Sequence, residues 1–222
     1  VKLEEETGLS TGMKQNGSIT VALTEARKEE IYRQASLARA FDVDVNEISP
    51  EEALAMYPHL TIDGVKAAVH LPLDGQCDPA NIALALAKGA RQRGATIIEG
   101  VKVTGVNQAN GAVTGVTYER DGEPGQIDAD VVVNCGGMWA RDFAAMAGVT
   151  VPLHACEHFY IVTEPVEGLT QMPVLRVPDE CAYYKEDAGK MMLGAFELKA
   201  RPWGMNGISV DFCFDQLTED FD

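Results

Sequence analysis

The stretch VVVNCGGMWA, residues 131–140, decides how the chain is read. Val131, Val132 and Val133 form a continuous apolar run, which predicts a strand buried on both faces. The run ends in Gly136-Gly137, and MWARDFAAMAG then has the pattern of a helix. Two glycines at the carboxyl end of a strand let a backbone approach a ligand with no Cβ in the way. In an open α/β sheet that edge is the usual ligand side. The N-terminus of the following helix can face an anion such as a pyrophosphate. The same letters also describe a tight strand-to-helix turn with no ligand. No GxGxxG or GxxxxGK[ST] loop occurs anywhere in the 222 residues, so no phosphate loop supports the first reading.

Working outward, GSITVAL (17–23) and GVKAAVHL (64–71) read as strands. TEARKEEIYRQASLARAF has helical spacing, with Ile31, Ala35 and Ala38 on one face. Thr24 is its N-cap, although Arg27 stands where a capping box prefers Glu. SPEEALAMYP is a short helix capped by Ser49, begun by Pro50 and stopped by Pro58. Asp78-Pro79 opens another helix, with Ile82, Leu86 and Ala90 at helical spacing and Gly94 as its stop. ATIIEG and KVTGVNQ are strand material, and GAVTGVTYERDG with EPGQIDA looks like a hairpin. HFYIVTEP, PVLRVP, AYYKED and KMMLGAFE read as antiparallel strands. The fold class is therefore mixed α/β. Strand–helix–strand material over about 71–148 suggests a parallel layer, and the flanks at about 10–70 and 151–200 suggest a mixed, mostly antiparallel sheet.

Composition narrows the partners. Thirty-four acidic residues against 18 basic ones give a formal charge of −16, which repels nucleic-acid backbones. No stretch approaches the roughly 18 apolar residues of a membrane span. VKLEEETGLS lacks both the basic start and the apolar run of a secretory signal, and it has no initiator Met, as expected of a fragment. Cys77, Cys135, Cys156, Cys181 and Cys213 are odd in number and irregular in spacing, which fits reduced thiols in a cytoplasm-like compartment.

Several side chains are candidates for chemistry. His154 and His158 are four apart, which on one strand places both on one face. Two further ligands at metal-binding spacing are not evident, so a structural or proton-handling role fits better than a metal site. Tyr183 and Tyr184 point to opposite faces of a strand, so one can enter a cavity while the other packs. Asp74 and Asp78 are a weak carboxylate pair, and Asp78 before Pro79 is better explained as a helix cap.

Taken in order, SPEEALAMYP, LPLDGQCDP with its helix, GATI, VKVTGV, ADVVVNCGGMWAR, HFYIVTEP, PVLR, AYYKED, LGAFE and RPWGMNGISVDF resemble one family along nearly the whole chain. It is the FAD-binding amine-oxidase domain of dimethylglycine dehydrogenase, sarcosine dehydrogenase and dimethylglycine oxidase, within the D-amino-acid-oxidase superfamily. The resemblance implies a partial FAD-dependent oxidoreductase domain over 1–222. It makes about 71–148 the FAD-binding portion, an incomplete Rossmann-like layer, and the flanks the substrate-domain portion. Val103, Asn134, Cys135, Gly136, Gly137 and Trp139 match the family's cofactor-contacting positions. Relatives often carry Ala-Gly at the Gly136-Gly137 pair. His158 and Tyr183 match residues that line the substrate cavity and assist amine oxidation; Tyr184 is the less favoured of the pair.

The implied chemistry is oxidation of an N-methyl amine such as dimethylglycine or sarcosine. A hydride equivalent passes to FAD and an iminium results, with tetrahydrofolate a possible acceptor through a further C-terminal domain. Alternatives are a glycerol-3-phosphate or D-amino-acid type of oxidoreductase, for which Arg176 and Arg201 are the candidate anion clamps, or a non-catalytic binding module. The implied location is cytoplasmic, or the mitochondrial matrix in a eukaryote. The family's GxGxxG segment is expected upstream of Val1 and a flavin-contacting segment beyond Asp222. This chain alone is therefore expected to retain FAD weakly.

Overall fold

The computed structural model describes residues 2–213 and 215–218; the end of the acidic stretch LTEDFD, 219–222, lies outside the described residues. The chain divides into two compact units. One comprises residues up to Thr96 together with His158–Leu198, and the other Ile97–Glu157 together with residues from Lys199 onward.

The first unit is built on a seven-stranded mixed sheet among the described residues. Third in its order is β1 (Ser18–Ala22), whose Ile19, Thr20 and Val21 are all β-branched. On one side lie β3 (Ala67–Leu71) and then β2 (Asn46–Ile48). On the other side come β9 (Val174–Val177), β10 (Ala182–Asp187), β11 (Lys190–Ala195) and β8 (Tyr160–Val162). β1 runs parallel to β9, with Ser18 opposite Val174; the remaining pairings of this sheet are antiparallel.

Strand alternation divides the side chains between two faces. Ile19, Val21, Ala68, Leu175 and Val177 form one face, buried with Ala53 and Tyr57 of the segment from helix α3 (Pro50–Met56) into its C-cap. Ala22, Ala67 and Val69 form the other, covered by Ile31 and Ala35 of α2 (Glu25–Ala40). Burial raises the Tyr57 phenol to about 12, with Tyr184 adding to the shift. A raised phenol stabilises the fold below its ordinary value of 10, and that contribution is lost as pH climbs toward about 12.

Helix starts follow the caps read from the sequence. Thr24 accepts from the Arg27 N–H, and Asp78 accepts from the Asn81 N–H at the start of α4 (Pro79–Gln92). Ser49 forms a reciprocal capping box with Glu52. Asp74 is also structural, accepting from the Ser18 hydroxyl at 2.7 Å.

The buried face of α4 differs from expectation. Ala85 and Gly89 are its buried residues, whereas Leu84 and Leu86 are exposed. The small residues let α4 approach α1 (Lys2–Thr7), and a Cβ on Gly89 would lie 3.4 Å from Thr7 Cγ2. A leucine cannot enter so narrow a contact.

In the second unit, β4 (Lys102–Ala109), β5 (Ala112–Arg120) and β6 (Glu123–Asp128) form an antiparallel sheet. Asn110-Gly111 and Asp121-Gly122 join them, with φ of 52° and 79°, and 52° and 81°. Such two-residue primed turns make hairpins. They are far too short for the crossover that parallel pairing needs, so the parallel layer expected within 71–148 is not formed there. A second short sheet pairs β7 (Ala155–Cys156) with β12 (Pro202–Trp203).

Residues 131–136 are not a strand, and Val131 and Val133 are each 75% exposed. A strand exists only through its neighbours' hydrogen bonds, and among the described residues none pairs with this segment. ATIIEG likewise stays outside any strand.

Replacing Ser49 by Ala removes one half of the capping box. Urea unfolding should show a loss of about 1 kcal/mol, and an unchanged midpoint would mean that the box is not a stabilising feature.

Candidate active site and cofactor hollow

The second unit contains a hollow of about 930 Å³. Val103 and Val116 of the β4–β5 hairpin form part of its wall. Asn134, Cys135, Gly136 and Trp139 line it from the turn, joined by Phe143 and Met146 of α5 (Ala140–Met146). Of the six residues expected at a cofactor, Gly137 alone is not part of this lining. It stands at the start of a 3₁₀ turn with φ +53°, and a Cβ there would meet nothing within 4 Å.

The turn is held by its own residues. The Asn134 side-chain oxygen accepts from the Gly136 N–H at 3.1 Å, and its amide donates to the Ala140 carbonyl at 2.9 Å. A Cβ on Gly136 would lie 3.2 Å from that oxygen and 3.3 Å from the Ala140 nitrogen, so glycine lets the loop close. The Trp139 N–H is taken by the Gly136 carbonyl, and Trp139 Nε1 donates to the Ser209 carbonyl at 3.3 Å. A 3₁₀ turn over Gly137–Trp139 leads into α5, a helix of seven residues.

The hollow is mainly aliphatic and aromatic, and its charged residues are Lys102, Asp142 and Asp211. That lining suits a flat, apolar ring better than a pyrophosphate, which the carboxylates would repel. Adenosine-like chemistry therefore fits the residues present.

His158 and Tyr183 both lie in the first unit, and one aromatic ring links them. Phe196 meets His158 edge-on at 5.5 Å between centroids and Tyr183 at 5.7 Å. His158 Nδ1 is 2.8 Å from Glu197 Oε2. The Glu197 carboxyl is held below its ordinary value of 4.5, first by its own backbone N–H and then by the His158 side chain. A lowered carboxyl keeps this pair intact above its ordinary range, and the pair is lost as pH falls through the lowered value.

Tyr183 is directly opposite Arg176 on β9 and Gly194 on β11. Directly opposed residues share a face, so Arg176, which is exposed, stands beside Tyr183 on the face away from the Tyr57 core. Tyr184 points the other way, packing against that core. Burial and then Glu180 raise the Tyr184 phenol.

His154 does not share a strand with His158. β7 pairs with β12 while β8 pairs with β11, so the chain changes sheets between the two histidines. Among the described residues no group of three or more His, Cys, Asp or Glu is placed to hold a metal ion, and no helix is long and apolar enough to cross a membrane. The five cysteines are free thiols.

Three residues of this cluster escape a sequence reading: Gly194, Phe196 and Glu197. A Cβ on Gly194 would lie 2.2 Å from the Tyr183 ring, so the phenol lies across the glycine. Only strand pairing brings them together, and no local pattern signals it.

The family model described as FAD dependent oxidoreductase matches residues 1–218. Mitochondrial sarcosine dehydrogenase of Homo sapiens is 37% identical over the whole of this chain and 24% of its own length. The mitochondrial pyruvate dehydrogenase phosphatase regulatory subunit of Mus musculus is 33% identical over the whole of this chain and 25% of its own. The chain thus spans about a quarter of the length of these curated relatives. Among solved structures, L-proline dehydrogenase from P. horikoshii superposes with a TM-score of 0.75 at 29% identity, covering 88% of this chain and 52% of that one.

Substituting Gly194 by Ala should push the Tyr183 ring off its seat at a cost near the lower end of ~1–3 kcal/mol. The Tyr183–Phe196 ring contact should vanish from NMR cross-relaxation spectra. Its persistence would show that Gly194 does not position the phenol.

Proposed function

Because the chain belongs to the family of FAD-dependent oxidoreductases, we propose that it forms part of an enzyme oxidising an N-methylated amino acid of the sarcosine or dimethylglycine type. The observation that carries this reading is the Phe196 ring contact shared by His158 and Tyr183, with Arg176 directly opposite Tyr183 on the neighbouring strand. The similarity to sarcosine dehydrogenase supports the N-methyl substrate.

In this proposal the hollow receives the adenosine half of FAD. Val103 would lie beside the adenine, and Asn134, Cys135, Gly136 and Trp139, which line the hollow, would border the cofactor. When bound, FAD supplies the acceptor for a hydride equivalent from the N-methyl carbon, leaving the substrate as an iminium.

The remaining work falls to the chain's own side chains. An N-methyl amino acid arrives with a protonated nitrogen, whose lone pair is then unavailable to support an iminium. His158 Nε2 accepts that proton, as a general base must. The Tyr183 hydroxyl donates a hydrogen bond to the substrate and fixes its orientation. The substrate carboxylate meets the Arg176 guanidinium, whose planar fork suits it. These residues lie within the portion at about 151–200 that handles substrate, while the residues bordering FAD lie within about 71–148.

A second reading, a non-catalytic regulatory or binding module, is favoured by the likeness to the phosphatase regulatory subunit. It requires no flavin reduction by any amine.

The test is anaerobic mixing of the holoenzyme with candidate donors while following the visible flavin band. Sarcosine or dimethylglycine should bleach it, and Arg176→Gln should raise KM by about 10–100-fold, the equivalent of a lost charged hydrogen bond. Bleaching by glycerol 3-phosphate or a D-amino acid instead would overturn the substrate assignment, and no bleaching by any donor would favour the module.

A further inference from the structure

The proton-handling role given to His158 demands a particular form of its ring. To accept a proton from an amine, the ring must be neutral with a lone pair on the nitrogen facing the substrate. Free histidine prefers its single hydrogen on Nε2, which would leave the wrong nitrogen as acceptor if Nε2 is the one presented. In a folded protein the tautomer is set by the hydrogen bond that the other nitrogen makes.

We propose that Glu197 is a positioning residue that holds the hydrogen of His158 on Nδ1 and thereby keeps Nε2 as a proton acceptor; the step rests on the proposed role of His158. The 2.8 Å contact joins Nδ1 to Glu197 Oε2, not Nε2. An ionised carboxylate only accepts hydrogen bonds, so Nδ1 must carry the hydrogen that bridges them. The carboxyl is held in its ionised form by its own backbone N–H and by His158 itself.

The surroundings fix the ring's plane as well as its tautomer. Phe196 packs edge-on to the imidazole at an interplanar angle of 72°. Its backbone N–H donates to the Cys181 carbonyl at 2.8 Å, which ties the residue before Glu197 to the start of β10. The carboxylate is thus carried on anchored backbone, although its own side chain is 40% exposed. A group so exposed contributes little to stability, so its value lies in orientation.

Two groups are involved and only one hydrogen is bridged, so the proton balance is simple. Glu197 remains a carboxylate throughout. The neutral ring gains one proton at Nε2 from the substrate ammonium, becoming an imidazolium beside that carboxylate. The same arrangement stops the ring from rotating to offer its Nδ1 instead.

The direct test needs no flavin and no turnover. In protein with 15N-labelled histidine, two-bond ring correlations distinguish a protonated from an unprotonated nitrogen. His158→Gln identifies which of the four histidines gives the signal. Above the pH at which the ring is neutral, His158 should show its hydrogen on Nδ1. In Glu197→Leu, with a dispersed amide spectrum as the folding control, it should move to Nε2. If Glu197→Leu does not fold, the wild-type spectrum still decides, because an Nε2–H form there overturns the proposal.

In the holoenzyme, Glu197→Leu should lower kcat about 10-fold or more while leaving KM for the amine within about 2-fold, since orientation is lost and binding is not. If His158→Gln retains full activity, the proposed function of His158 fails whatever the tautomer. If His158→Gln is inactive but Glu197→Leu changes neither tautomer nor kcat, the positioning role alone fails.

Discussion

The register of β10 between β9 and β11 decides which of two tyrosines faces the core of the first unit. A strand sends successive side chains to opposite faces, so a slip of one residue would exchange Tyr183 with Tyr184. The Ala188-Gly189 turn, with φ of 53° and 76°, pins the register by placing Asp187 opposite Lys190. Glu186 reinforces it. This residue is only 7% exposed; its carboxylate accepts from the Gly189 N–H, and its carbonyl accepts from Gln76 Nε2. A buried carboxylate is stable only when it is bonded, so the turn and its anchor support each other.

From that register the division of labour follows. Tyr184 joins Tyr57 and Met191 on the packed face, where the Tyr57 hydroxyl meets the Met191 sulfur at 3.4 Å. Tyr183 and Arg176 emerge on the opposite face. Helix α2 covers that face at Ala22, Ala67 and Val69, toward the β1–β3 end, and Arg176 remains exposed beyond it. Gly194 then gives the Tyr183 ring a place to lie, and Phe196 and Glu197 follow at the end of β11 to meet His158. Local packing thus fixes one tyrosine in the core and leaves the other on the open face, where the proposed chemistry needs it.

Features governed by nearest neighbours were legible in the sequence. Thr24, Ser49 and Asp78 cap their helices because a short polar side chain reaches back to an N–H three residues on. The hairpin at Asp121-Gly122 needs positive φ at both positions, which Asp and Gly tolerate. Features set by distant partners were not. Val131 and Val133 read as buried because apolar runs are buried only when neighbours cover them, and composition says nothing of those neighbours. The choice of Gly89 over Leu86 as a contact of α4 depends on α1, more than seventy residues earlier. At the proposed site, Tyr183 and His158 carry motifs, but Gly194 and Glu197 meet them only through cross-strand pairing and a side-chain contact that no local pattern signals. Arg176 was visible only as an anion clamp for other substrates, because its place beside Tyr183 is a matter of register.

The central claim is that the open face of the β9–β11 ladder holds the substrate amine. A crystal structure of the flavin-loaded protein with an unreactive N-methylated carboxylic acid tests it most directly. The account predicts the ligand nitrogen within hydrogen-bonding distance of His158 Nε2 and its carboxylate on Arg176. A ligand bound elsewhere, with neither side chain in contact, would contradict it.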